Sequence, residues 1–206
     1  MGESIERFPL FPLGLVLLPA EVVPLHIFEQ RYKTMVEECL ESDSEFGILW
    51  MGDEGLKQVG CTAAITQLLE RMEDGRLNIL VQGSRPFRLL RRIDDLEYPA
   101  GDVELLDEEP SEIAEETLMA ARSEYANLVE RVTDTRPPEA DLEALDAYGM
   151  AATIAFDLEA KQELLELRTE SGRLVRLTYH CVKGLERFEY AQKAAARAQS
   201  NGKVRH

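Results

Sequence analysis

Three histidines, three cysteines and 39 carboxylates are the side chains from which this 206-residue chain could assemble acid–base, nucleophilic or metal chemistry. Their spacing supports none of these. His180 adjoins Cys181, yet neighbouring residues on a helix point about 100° apart, so the two cannot act there as base and nucleophile. His26 stands between Leu25 and Ile27 at a strand-to-helix corner, where a half-buried ring with a backbone partner is the simpler reading. His206 is the last residue. Cys39, Cys61 and Cys181 form no CxxC pair, so neither a disulfide framework nor a zinc cluster is indicated. Gly202-Lys203 lacks the glycine spacing of a phosphate-binding loop, and HExxH, GxSxG and GxGxxG are missing. No catalytic residue, metal site or cofactor is assigned.

Charge narrows the partners. The net charge is −16, a field that repels phosphate backbones and disfavours general nucleic-acid binding. Residues 183–206 invert the balance, with six Lys or Arg against two Glu, leaving 17 positive and 37 negative charges in residues 1–182. Arg85, Arg88, Arg91 and Arg92 are the one cationic cluster in the first half. The opening MGESIERF is acidic where a signal peptide would be basic, and no apolar run reaches the ~20 residues of a membrane helix. A cytoplasmic protein with no membrane partner is expected.

The elements that must position these residues divide near residue 110. In "FPLFPLGLVLLPAEVVPLHIFEQRY" (8–32), Pro9, Pro12, Pro19 and Pro24 break an apolar stretch into short extended pieces, expected as edge strands at Leu15–Leu18 and Glu21–Leu25. Phe28, Tyr32, Met35 and Cys39 then make one helical stripe. Strands are expected at 45–51, 60–72, 72–83, 85–93 and 100–109, with Asp74-Gly75 as a hairpin turn. Residues 107–116 hold six acids, and Ser111, Glu115 and Glu116 read as a helix N-terminus. Helices are expected over 115–132, 141–156, 157–168 and 171–198, the last with a stripe of Leu174, Leu177, Cys181, Leu185 and Phe188. The expected organisation is a β-rich part over 1–109, a helical bundle over 110–199 and a disordered tail over 200–206.

"PLFPLGLVLLPAEVVPLHIFEQRYKTMV", followed by "FGILW", "VGCTAAITQLLERMEDGRLNILVQGSRPFRLL" and "YPAGDVELLDEEP", resembles the substrate-binding, N-terminal domain of Lon proteases. The likeness is to the stand-alone bacterial type without ATPase or protease domains. It resumes at "MAATIAFDLEAKQELLELRTESGRLVRL" and covers about residues 8–178. The resemblance implies an α+β fold, a PUA-like β-barrel or pseudo-barrel followed by an all-helical bundle. It also implies a non-enzymatic module that binds exposed or unfolded protein segments or acts as an adaptor, since the chain stops where the ATPase would begin. Edge strands and apolar grooves accept extended peptides, so Leu13, Leu15, Leu17, Leu25, Ile27, Phe28 and Tyr32 are the candidate contacts. The rival reading is a PUA-like nucleic-acid binder using the four arginines. The partner's identity and any homo-oligomer stay open.

Overall fold

A computed structural model describes residues 2–93 and 95–201. In chain order its elements are β1 (Ser4–Leu13), β2 (Val22–Ile27), α1 (Gln30–Ser42), β3 (Phe46–Gly52), β4 (Gly55–Leu56), β5 (Val59–Arg71), β6 (Leu77–Ile93) and β7 (Ala100–Leu105). Five helices follow: α2 (Glu115–Thr133), α3 (Glu139–Ala144), α4 (Ala147–Ala152), α5 (Leu158–Glu166) and α6 (Glu170–Asn201). The class is α+β, strands first and helices after.

The sheet closes. Neighbours run β1–β7–β6–β5–β3, and a parallel pairing of Leu10–Leu13 with Gly47–Trp50 returns β3 to β1. Phe8, Leu10, Leu49, Phe87, Val103 and Leu105 fill the interior. Glycine makes room for the largest of them: a Cβ on Gly47 would stand 2.6 Å from the Phe87 ring.

β1 runs through two prolines that the sequence suggests should interrupt it. Pro9 pairs with Ala100 of β7, and pairing with β3 begins only at Leu10. Each stretch of β1 is therefore bonded mainly on one side, so a missing N–H is tolerated as at a sheet edge. The strand expected at Leu15–Leu18 is instead a buried connection, with Val16, Leu17 and Leu18 in the core. The strands expected at 72–83 and 85–93 are one 17-residue strand, β6, continuing through Pro86, which stands opposite Cys61.

In the helical half, the helix expected over 141–156 is two short ones. The chain turns at Asp146, whose carboxylate accepts from the Gly149 N–H at 2.7 Å and caps α4. Ser111 does not cap α2. That helix begins at Glu115 behind Ala114, with Glu115 and Glu116 in its first turn, while Ser111 accepts from the Ser171 N–H. Ser200 and Asn201 are the last residues of α6, and 202–206, the rest of the expected tail, lie outside the described residues.

One apolar cluster runs through both halves. Phe11, Leu18, Tyr32, Phe46 and Ile79 belong to it, together with Tyr125, Met150, Leu164, Leu177 and Cys181. Around that seam sit polar groups with little exposure. Gln162 of α5 donates to the Val59 carbonyl at 3.1 Å, and the Lys161 ammonium pairs with Glu21. Arg173 of α6 is 3% exposed; it lies over the Tyr148 ring, bonds Glu170 at 2.8 Å and reaches Glu108 on the chain leaving β7.

Candidate functional site

β2 is positioned from both ends. At its entry the Glu21 carboxylate accepts the Leu18 N–H at 3.0 Å, and the Ala20 N–H donates to Gly83 O at 2.9 Å. Gly83 N–H returns a bond to Glu21 O at 2.9 Å. Ala20 adopts φ +65° to make this turn. A Cβ at Gly83 would lie 2.2 Å from Leu18 O, so only glycine allows the chains to approach so closely.

Beyond the turn, Val22–Ile27 pair with Leu77–Gln82 of β6. Among the described residues no strand pairs with the other side of β2. Leu25 and Ile27 face the core, while Val22, Pro24 and His26 alternate toward solvent. On that outer face His26 Nδ1 meets Asn78 Oδ1 at 2.7 Å, and Asn78 donates to Glu70 at 3.0 Å, tying β2 to β6 and β5. Phe28 follows at the strand's end, 60% exposed and stacked on His26 with ring centroids 6.0 Å apart.

The seven candidate contacts thus separate. Leu17, Leu25, Ile27 and Tyr32 are core residues, each at most 8% exposed, and are not accessible from this surface. Leu13 and Leu15 are half-buried against the core. Phe28 alone is open to solvent, and it precedes α1 rather than joining its stripe, whose buried residues are Tyr32, Met35, Val36 and Cys39.

Two of the four arginines on this strand, Arg85 and Arg91, are compensated by carboxylates. Arg85 reaches Asp107 at 2.9 Å and Glu3 at 3.5 Å, and Arg91 bonds Asp102 at 2.7 Å. That bond, with the Arg7 N–H, holds the Asp102 carboxyl below its ordinary pKa.

The helical half holds a second concavity that sequence reasoning did not find, an open groove of about 990 Å³. Tyr125, Leu128 and Val129 of α2, Ile154 and Phe156 of the α4–α5 connection and Phe188 of α6 contribute to its apolar walls. Its rim is ionic. Arg187 bonds Asp157 at 2.8 Å, and His180 Nε2 stands 3.0 Å from Glu163 Oε2. Of its large apolar side chains, Tyr179 and Val132 are about half exposed, so the groove is uncovered. Helical spacing identifies the α6 stripe but not a hollow formed by three segments remote in sequence.

Cys181 is buried in the apolar cluster, which pushes its thiol up to about 12, and burial likewise raises Cys39 and Cys61. Among the described residues no group of His, Cys, Asp and Glu is arranged to hold a metal ion. No helix among them is long and apolar enough to cross a membrane.

Comparison with known proteins agrees with this architecture. The family model described as "ATP-dependent protease La (LON) substrate-binding domain" matches residues 7–183. Lon protease 1 of Thermus thermophilus is 30% identical over 94% of this chain, and Lon protease 2 of Syntrophobacter fumaroxidans is 25% identical over 95%. The chain spans about a quarter of the length of these curated relatives, 26% and 27%. A crystal structure of a Lon N-terminal domain protein from Xanthomonas campestris superposes with a TM-score of 0.65 at 26% identity, covering 84% of this chain and 97% of that one. The N-terminal domain of Mycobacterium avium complex Lon protease shares the fold, with a TM-score of 0.63 at 21% identity, covering 87% of this chain and 98% of that one.

Proposed function

The chain belongs to the Lon substrate-binding domain family, and from that membership we propose that it is a non-enzymatic module binding extended segments of other proteins along β2. The observation that carries this reading is the strand's unpaired outer side. A strand bonded on one side only offers backbone donors and acceptors to an incoming chain, which can extend the sheet whatever its sequence. Phe28, exposed at the end of the strand, supplies an apolar contact that does not depend on charge. The non-enzymatic part is supported by the burial of Cys39, Cys61 and Cys181, which keeps the thiols from acting as nucleophiles, and by the family model, which describes a substrate-binding domain over residues 7–183. Protein segments are the partners, and no cofactor takes part.

The test is a titration of the protein with a labelled unfolded polypeptide and a short apolar peptide able to extend. A second peptide carries N-methyl groups on alternate amides, which block strand pairing without changing side chains. Binding of the first peptide and loss of the second is the expected result. Equal binding of both would remove strand addition, and no binding of either would remove the reading itself.

A further inference from the structure

Pro24 stands in the middle of β2 and alters what the open side of that strand offers. In an antiparallel ladder each residue turns its N–H and C=O to the same side, and its neighbours turn theirs to the other. The Glu21 carbonyl accepts from the Gly83 N–H at 2.9 Å. In the unbroken register that follows, Val23, Leu25 and Ile27 therefore bond to Val81, Ile79 and Leu77 of β6. The residue opposite Pro24 agrees: the Leu80 carbonyl is turned to β5, where the Thr66 hydroxyl donates to it at 3.2 Å. Val22, Pro24 and His26 thus direct their backbone groups outward. Proline has no N–H, so this side presents the carbonyls of all three residues but donors only from Val22 and His26.

That asymmetry bears differently on the two kinds of chain that could add here. An extended segment of another protein has an N–H at every residue except proline. It satisfies each of the carbonyls and forgoes a single bond, the one its own carbonyl would have accepted from residue 24. A second copy of β2 brings the same gap. Placed antiparallel about a twofold axis at Pro24, the register that engages most of the strand, the two prolines face each other and neither Pro24 carbonyl finds a donor. Shifting the register by two residues sets each Pro24 against Val22 or His26 of the other copy, and it shortens the ladder as well. Carbonyls left unpaired in a shared sheet also lose water, which adds desolvation to the missing bonds.

We infer that Pro24 is the specificity-determining residue of this edge, admitting an extended segment of another protein and rejecting a second copy of the chain. The inference rests on the reading that β2 receives an extended chain. An exposed edge strand is a template for pairing with its own kind, and Val22 and Phe28, 52% and 60% exposed, would add apolar area to such a pairing. A missing donor discriminates by symmetry, with one loss for the foreign chain and two for the copy. It does so without weakening β2 itself, since no bond to β6 passes through the Pro24 nitrogen.

The probe is the short apolar peptide, titrated into the parent, Pro24→Ala and Val22→Pro proteins, with sedimentation of each from micromolar to millimolar concentration. Neither substitution touches a bond between β2 and β6, and proline is tolerated at the first residue of a strand, so the three melting curves should match. Pro24→Ala restores the donor. The peptide should then bind about fivefold tighter, the effect of one hydrogen bond, despite the loss of the ring's apolar contact. The same variant should form a reversible dimer that the parent does not. Val22→Pro removes a further donor and should weaken the peptide by about the same factor. A Pro24→Ala protein that binds the peptide no more tightly, or stays monomeric throughout, overturns the inference, and a weakened Val22→Pro protein would still leave the β2 reading standing. So does a parent that dimerises as strongly as Pro24→Ala. Peptide binding unchanged by Val22→Pro would remove the β2 reading, and this inference with it.

Discussion

Lys161, on α5, extends its ammonium to the carboxylate of Glu21 at the entry to β2, and the two side chains are only 12% and 11% exposed. The pair ties the helical half to the turn that aims β2. Its second carboxylate oxygen is already committed to the Leu18 N–H. Lys161→Met should cost about 3 kcal/mol, because it leaves a carboxylate buried without its partner. Adding Glu21→Gln removes that charge and keeps an acceptor for Leu18, so the double variant should recover most of the loss. Urea unfolding of the three proteins measures the cycle; a double variant less stable than Lys161→Met would refute the account.

The shared apolar cluster makes a prediction about cooperativity. Cys61 lies on β5, Cys39 on α1 and Cys181 on α6, all buried and with thiols raised by desolvation. A thiol-specific reagent at neutral pH should leave all three unlabelled in the native protein and label them together through one unfolding transition. Labelling of Cys181 at a denaturant concentration that still protects Cys61 would show that the halves unfold separately. The raised values also set a pH slope. The native state holds these protons more tightly, so the stability they contribute is present below the unfolded thiol pKa near 9 and falls as pH rises beyond it.

Local signals were readable where neighbours in sequence decide the outcome. Asp74-Gly75 forms the turn between β5 and β6, with Gly75 at φ +80° and the Asp74 carboxylate accepting from Arg76 N–H. Tyr32, Met35 and Cys39 form a buried helical stripe, as do Leu174, Leu177 and Cys181. The misread positions are those that a distant partner decides. Phe28 fits the α1 period but falls outside the helix, and Leu15–Leu18 become a buried connection because Gly83 captures the following turn. Pro86 resembles a strand break until Cys61 and Leu106 are seen on either side of it. Glu21, Lys161 and Arg173 gave no signal at all. In a chain with 39 acids, nothing local separates the few buried ones from those on the surface.

Gly83 permits a direct check of how β2 is held. Gly83→Ala would drive a Cβ to 2.2 Å from Leu18 O, and backbone cannot yield as a flexible side chain can. A loss of about 1–3 kcal/mol is expected, with faster amide exchange at Ala20 and Val22 than elsewhere in the sheet. Unchanged exchange at those two amides would mean that β2 is positioned by other contacts.

Asp157 couples the groove rim to pH. Its hydrogen bond from Arg187, then that from the Ala160 N–H it caps, hold its carboxyl below the ordinary value of 3.8. Because the folded pKa is the lower one, the contribution is present in full above the unfolded value and is lost as pH falls through the folded one. Asp157 is 43% exposed and Arg187 73%, so solvent screening keeps the effect under about 1 kcal/mol. Asp157→Asn keeps an N-cap acceptor and removes the titration. Its stability curve should therefore be flatter than the parent's at acid pH, and an identical acid slope would place the titration elsewhere.

Salt separates the two ways this protein could hold a polymer. Addition of an extended chain to β2 rests on backbone hydrogen bonds and on Phe28, and neither is an ion pair, so affinity for an unfolded polypeptide should change little between low and moderate salt. Phe28→Ser should weaken it by about 1 kcal/mol, near the value of the apolar area removed, while leaving the fold intact at an exposed position. An RNA bound through Arg85, Arg88, Arg91 and Arg92 would release counterions and weaken steeply over the same range. Arg85 and Arg91 would first have to leave Asp107 and Asp102, which makes that mode the weaker competitor. Parallel titrations with labelled unfolded protein and labelled RNA, at both salt levels, decide between them. RNA binding that is salt-sensitive and abolished by Arg88→Ala/Arg91→Ala, with no binding of unfolded protein, would reverse the assignment.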